Sequence, residues 1–246
     1  MPSRRRTPFL TACWRNLVMV NYEVEPAILR PLVPKGTDLE IFHGACLVSV
    51  VGFMFDSTSL LGRIPVPLLK SFEEVNLRFY VRSRDRNRRG VVFIRELAPS
   101  RPVKWVAGGV FHENYRCVPM RHRITWNDAC RPQQGGQFGY EWRHNGQWWR
   151  LAANTKWPLA DLEAGSLAEF VVEHYFGYSM RRDGGTLEYA VEHPRWRVWQ
   201  AESCSFEADV ESLYGERFVR PLSSAPHSAL IAEGSAVAVY RGARIA

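Results

Sequence analysis

"SFEEVNLRFYVR", residues 71–82, alternates as a β-strand does. Side chains on a strand point to its two faces in turn, so Val75, Leu77, Phe79 and Val81 share one face while Glu74, Asn76, Arg78 and Tyr80 share the other. The first set is core material. The second sets an acid, an amide, a guanidinium and a phenol in a row, and two arrangements accommodate it: an antiparallel strand with one wet face, or the wall of a polar pocket.

The neighbouring segments extend the sheet in both directions. After the basic loop "RSRDRNRRG" (82–90), "GVVFIREL" (90–97) returns as the second arm of a hairpin. Upstream, "WRNLVMVNYEV" (14–24) is a strand, and "EPAILRPLVP" (25–34) is a short helix closed by Pro31 and Pro34. "LEIF" (39–42) and "CLVSVVGFMF" (46–55) predict a buried hairpin about His43-Gly44, and "TSLLGRIPVPLLKS" (58–71) predicts a loop that either forms a lid or packs.

Downstream, "PVKWVAGGVF" (102–111) puts Val103, Val106, Val110 and Phe111 on one helical stripe behind Pro102. "MRHRITW" (120–126) is a strand, and "FGYEWRHNGQWWRLAA" (138–153) is a hairpin about Asn145-Gly146, the dipeptide suited to a type I′ turn. Ser166 and Glu169 form a capping box for a second helix. Its apolar stripe takes in Leu167, Phe170, Val171, His174 and Tyr175, and Gly177 lies near its end. "TLEYAVEH", "RVWQAESCSFEAD" and "LIAEGSAVAVYRG" complete the strands. The expected architecture is a single α+β domain over 1–246, mainly antiparallel β, with an ordered core of roughly 8–240.

Composition limits the function classes. The 246 residues are 46% hydrophobic, with nine Trp, nine Tyr and thirteen Phe, which suits a globular protein with a sizeable core. No run reaches the roughly 18 apolar residues of a membrane span, and the apolar stretch after the first arginines ends at Trp14-Arg15, so the expected location is cytoplasmic. The five cysteines are scattered and lack any C-x-x-C pair, which suggests neither a disulfide framework nor zinc. The net charge of +7 is concentrated in Arg4–Arg6 and the 82–90 loop with no nucleic-acid motif beside it, so no nucleic-acid partner is expected. Nucleotide, zinc-protease and α/β-hydrolase signatures are missing, and neither a cofactor nor a metal is expected.

Together, "NYEVEPAILRPLVPKGTDLEIFHG", "FEEVNLRFYV", "GVVFIREL", "GGVFHENYRCVPM", "HYFGYS" and "EHPRW" resemble the bacterial family called domain of unknown function 2071, which is grouped with the acetoacetate decarboxylase-like fold. The resemblance runs from about residue 8 to 240 and implies a partly closed β-barrel or cone around a small-molecule cavity. Laid over the decarboxylase pattern, Glu74 matches the glutamate of one strand. The imine-forming lysine falls on Tyr115, its cationic neighbour on Arg116, and the carboxylate-holding arginine on Glu23. A phenol forms no imine, so the resemblance implies chemistry without a Schiff base.

The candidate catalytic set is therefore Glu74 as general base, Tyr115 as proton donor and Arg116 as electrostatic stabiliser, with Arg78 or Arg116 keeping Glu74 ionised. Asn76, Arg78 and His112 are the candidate substrate-binding residues, and His193 is a further histidine of interest. The alternative is a Glu74–Arg78 salt bridge that orders the sheet, with Tyr115 a packed aromatic. Lys104 either enters the cavity or stays solvated; Trp105 is expected in the core, and His174 is expected as a hydrogen-bonded core histidine. Two functions fit: a lyase or isomerase acting on a small carbonyl or carboxylate compound, or a non-catalytic ligand-binding or sensing protein. A homo-oligomer is left open.

Overall fold

The computed structural model describes residues 7–61, 64–65, 71–99, 114–129 and 132–246. The helix expected over 102–111, with Lys104, Trp105 and His112, lies outside the described residues, as do Arg4–Arg6, most of the 62–70 segment and Cys130. The strands, in chain order, are β1 (Leu10–Glu23), β2 (Thr37–Leu39), β3 (Leu47–Leu60), β4 (Ile64–Pro65), β5 (Ser71–Ser83), β6 (Arg89–Ala98), β7 (Tyr115–Cys117), β8 (Met120–Trp126), β9 (Gly136–His144), β10 (Gln147–Asn154), β11 (Phe176–Met180), β12 (Thr186–Glu192), β13 (Val198–Gln200), β14 (Ser203–Glu207), β15 (Ser228–Val239) and β16 (Ala243–Arg244). The helices are short: α1 (Pro26–Leu29), α2 (Leu167–Val172), α3 (Val210–Tyr214) and α4 (Val219–Leu222). None among the described residues is long and apolar enough to cross a membrane.

The larger sheet runs β15-β1-β3-β5-β6-β11-β12, and β12 pairs back onto β15 through Val191↔Val239 and Glu192↔Ala238. This return bends the strands into a partly closed cone, mostly antiparallel, with parallel joints where β6 meets β7 and β11. The smaller sheet, β14-β10-β9-β8, covers the outside of the cone. Gly52 on β3 makes the close approach possible: a Cβ there would come within 2.8 Å of the Tyr140 ring and 3.0 Å of Leu151.

The two larger hydrophobic cores lie one on each side of the cone wall, and a small cluster of Leu187, Tyr189, Val191 and Val239 sits where β12 meets β15. Val75, Leu77, Phe79 and Val81 of β5 belong to the outer core, with Val18, Val48, Phe138, Tyr140 and Trp142. Leu17, Met19, Val51, Phe53 and Phe55 belong to the inner one. The polar face of β5 is not wet: Glu74, Asn76 and Tyr80 are at most 2% exposed, and Arg78 is 9% exposed.

The expected Asn145-Gly146 hairpin forms, with φ of 50° and 82° at the two turn residues. Three expectations need correction. Residues 39–42 do not form a hairpin with β3; β2 joins β5 through Thr37↔Ser83, and only the Phe42–Ala45 bridge remains about His43-Gly44. The 58–71 segment is not wholly a loop, since β3 runs on to Leu60 and pairs with β4. The second helix starts as expected, with Ser166 Oγ accepting from the Glu169 N–H, but it stops at Val172. Gly177 instead sits inside β11, where a Cβ would lie 2.1 Å from the Tyr189 ring, so close strand packing rather than a helix cap requires glycine there. The helical stretch 210–222 had no counterpart in the sequence reading.

Candidate active site

The inside of the cone holds a cavity of about 100 Å³. Glu74, Asn76, Arg78, Glu96, Tyr115 and His174 form its polar wall. Trp14, Phe53, Phe55, Phe93 and Phe176 are the main apolar side chains facing them. A void of this size holds about three waters, or a molecule smaller than benzene, given that a cavity of roughly 150 Å³ accepts benzene.

Two β-bulges aim side chains into it. Between Leu77 and Arg78 the pairing of β5 with β6 slips by one residue, from Leu77↔Arg95 to Arg78↔Phe93. Strict alternation cannot put Phe93 and Glu96 on one face, because they are three residues apart; the extra residue does so. On β1 the register against β3 shifts between Arg15 and Val18, with Asn16 at φ 56°, and Trp14 and Leu17 both reach the cavity by the same device. Glu96 escaped the sequence reading because simple alternation in "GVVFIREL" groups it with Ile94. The one available signal was a pair of charges, Arg95 and Glu96, inside an otherwise apolar β-run.

Glu74 is the centre of the polar wall. Its Oε1 accepts from Asn76 Nδ2 at 3.1 Å and its Oε2 from the Tyr115 hydroxyl at 2.9 Å. Tyr115 arrives by the parallel pairing of β7 with β6, opposite Glu96. Burial pushes the Glu74 carboxyl up to about 7, and the hydrogen bonds from Asn76 and Tyr115 offset only part of that effect. Glu96 stands opposite Asn76 across the β5–β6 ladder, which makes it a diagonal neighbour of Glu74 on the same face. Two carboxyl groups thus share one apolar chamber.

Neither proposed cation pairs with Glu74. Arg116 follows Tyr115 on β7 and so points to the opposite face, where its Nη1 donates to the Ser212 carbonyl at 3.4 Å; strand alternation removes it from the cavity. Arg78 lines the cavity but sends Nη2 to the Val171 carbonyl at 2.8 Å and to Met19 Sδ at 3.9 Å. The expected Glu74–Arg78 salt bridge does not form. Among the described residues no cation lies within ion-pair distance of Glu74, so only the Asn76 and Tyr115 hydrogen bonds oppose the upward push of burial.

His174, expected as a core histidine, is buried and also lines the cavity. Its ring stacks on Tyr80 at 4.7 Å, and Nε2 lies 2.6 Å from the Phe170 carbonyl. A carbonyl only accepts, so Nε2 carries the proton. Burial, with Arg78 and Arg89 nearby, holds His174 well below the usual histidine range and keeps the ring neutral. The α2 carbonyls of Phe170 and Val171 therefore fix His174 and Arg78 side by side.

The remaining candidates fall elsewhere. His193 is packed between Tyr175 and Trp196 outside the cavity. Glu23 is exposed at the end of β1, 3.9 Å from His227. The described lysines, Lys35 and Lys156, do not line the chamber. Among the described residues no group of three or more His, Cys, Asp or Glu side chains is arranged to hold a metal ion.

The comparisons with known proteins agree with this architecture. The family model for domain of unknown function 2071, described as an uncharacterized conserved protein, matches residues 11–236. The uncharacterized protein YqjF of Bacillus subtilis (strain 168) is 32% identical over 192 residues, 77% of this chain and 75% of that one. An acetoacetate decarboxylase-like enzyme from Sphingomonas wittichii RW1 superposes with a TM-score of 0.66 at 14% identity, covering 96% of this chain and 92% of that one. The enduracididine biosynthesis enzyme MppR complexed with pyruvate gives a TM-score of 0.66 at 14% identity, with 100% and 93% covered. The chain therefore belongs to the domain of unknown function 2071 family and has the acetoacetate decarboxylase-like fold.

Proposed function

We propose that the protein is an acid/base enzyme of lyase or isomerase type acting on a small carbonyl or carboxylate compound without an imine. The observation that carries this reading is the buried Glu74 carboxyl, bonded to Tyr115 and Asn76 with no cation in ion-pair distance among the described residues, at a cavity of about 100 Å³. A base that titrates near neutrality abstracts a proton and returns it efficiently. Glu74 takes the proton from a carbon next to the substrate carbonyl or carboxylate, leaving an enolate. Arg78 offsets the developing negative charge, and the Tyr115 hydroxyl, released from Oε2 as the carboxylate becomes neutral, serves as the neighbouring proton donor. Reprotonation at a different atom completes an isomerisation; loss of a group β to the carbonyl completes a lyase reaction. MppR, a structural relative bound to pyruvate, supports a ligand of this size and charge.

The test is solvent exchange. Small oxo and hydroxy acids incubated with the protein in deuterium oxide are expected to exchange the hydrogen next to the carboxylate or carbonyl, with a rate rising as pH passes about 7, where Glu74 ionises. Glu74→Gln is expected to lower that rate by about 100-fold or more. Borohydride treatment is expected to leave the protein mass unchanged, and an adduct on any lysine overturns the imine-free mechanism. A ligand retained equally by wild type and Glu74→Gln, with no exchange of any acid, establishes the binding protein instead.

A further inference from the structure

Buried polar atoms of the cavity-lining Trp14, Asn76, Arg78 and His174 stand without a hydrogen-bond partner among the described residues: Trp14 Nε1, Asn76 Oδ1, Arg78 Nε and His174 Nδ1. They are of two kinds. Trp14 Nε1 and Arg78 Nε donate, whereas Asn76 Oδ1 accepts, and His174 Nδ1 accepts because the ring is neutral with its proton on Nε2. Arg78 and His174 are each nine-tenths or more buried and are anchored to successive carbonyls of α2, so one donor and one acceptor are held on the same part of the cavity wall.

A ligand that satisfies this wall must bring both a negative acceptor and a donor. An oxo acid or a simple fatty acid offers only acceptors and leaves the buried His174 Nδ1 unmet, and an unmade buried hydrogen bond is costly. We infer that the cavity takes a small hydroxy carboxylate, its carboxylate on Arg78 Nε and its hydroxyl donating to His174 Nδ1. The adjacency of Arg78 and His174 favours the hydroxyl on the carbon next to the carboxylate. A cavity of about 100 Å³ limits the ligand to at most about six heavy atoms, with lactate at the upper end. This deepens the acid/base reading of the same site by naming its substrate class, and it rests on that reading for the role of Glu74.

The experiment compares three probes matched in size, namely lactate, pyruvate and propionate, by calorimetric titration of the wild-type protein. Lactate is expected to bind at least tenfold more tightly than either of the others, because only lactate pairs with both Arg78 and His174. On labelled protein, the ¹⁵N resonance of the unprotonated His174 nitrogen is expected to move with lactate and stay in place with propionate. His174→Phe keeps an aromatic ring against Tyr80 and removes the acceptor, so the lactate preference should fall to about one. The wild-type comparison stands even if that variant does not fold. Equal binding of the three acids, or an unchanged His174 resonance under lactate, overturns the inference. Solvent exchange of an oxo acid that depends on Glu74, without lactate selectivity, removes this substrate class and leaves the acid/base reading intact. Lactate selectivity without exchange does the reverse.

Discussion

Two buried glutamates in this molecule are built in opposite ways. Glu188 on β12 lies 2.7 Å from Arg86 Nη1 and 2.8 Å from Arg88 Nη1, and accepts the Tyr178 hydroxyl at 3.0 Å. Glu74 on β5 also accepts a tyrosine hydroxyl, but an amide takes the place of the two guanidinium groups. The Glu188 arrangement clamps the 84–88 turn to the sheet and uses up the charge. The Glu74 arrangement leaves a carboxyl in an apolar chamber whose proton is lost near neutrality. Fold maintenance explains the first; the second weakens the fold whenever the group ionises, which is consistent with the acid/base role proposed for it.

The largest effect that separates them is the pH dependence of stability. In the unfolded chain a glutamate ionises near 4.5, whereas Glu74 in the fold keeps its proton to about 7. Between those values the unfolded state binds fewer protons than the native state, so stability falls as pH rises through this window, and this group adds no further slope above about 7. The separation corresponds to about 3 kcal/mol across the window. Urea unfolding of wild type and Glu74→Gln at pH 4.5, 5.5, 6.5 and 7.5 is the check. The variant is expected to lack this component, and parallel profiles would remove the distinction between the two glutamates.

A smaller effect comes from deleting the same atom at both sites. Tyr115→Phe removes one of the two hydrogen bonds that favour the ionised form of Glu74, so the carboxyl moves further up and the loss of stability extends above pH 7. A displacement of about one unit, roughly 1.4 kcal/mol, is expected. Tyr178→Phe leaves both arginines on Glu188, and its cost of about 1 kcal/mol should be the same from pH 5.5 to 8. A pH-dependent Tyr178→Phe and a pH-independent Tyr115→Phe would reverse the assignment.

The two sites also differ in how far the sequence disclosed them. The alternation of residues 71–82 put Glu74, Asn76 and Arg78 on one face, and the cavity wall is built that way. The family pattern brought Tyr115 to Glu74. The same pattern put Arg116 beside Tyr115 as its cationic neighbour, but the two are successive residues of a strand, which sends them to opposite faces. Glu96 depended on a bulge, which has no period to detect. The end of α2 at Val172 follows from long-range pairing: β11 finds β12 and β6, and that contact overrides a helical stripe which reads correctly through Val171. His174 was correctly expected as a buried, bonded histidine, but local pattern carried no sign that its second nitrogen would reach a cavity. Glu188 pairs with arginines 100 and 102 residues away, so its role was visible only in the fold.

The smallest effect is expected at Glu188. Arg86 and Arg88 are nearly half exposed at the side chain, so solvent screens much of their attraction to the carboxylate, and both guanidinium groups return to water when it is removed. Glu188→Gln keeps a hydrogen-bonding group near Tyr178 and should cost only about 1 kcal/mol. Raising the salt concentration weakens the ion pairs of the wild type and not the amide of the variant, so the gap should narrow towards 1 M salt. Thermal unfolding of both proteins at low and high salt measures this directly. A cost of several kcal/mol that ignores salt would mean Glu188 is as desolvated as Glu74, and the contrast between a clamped and an uncompensated carboxylate would no longer support the proposed role of Glu74.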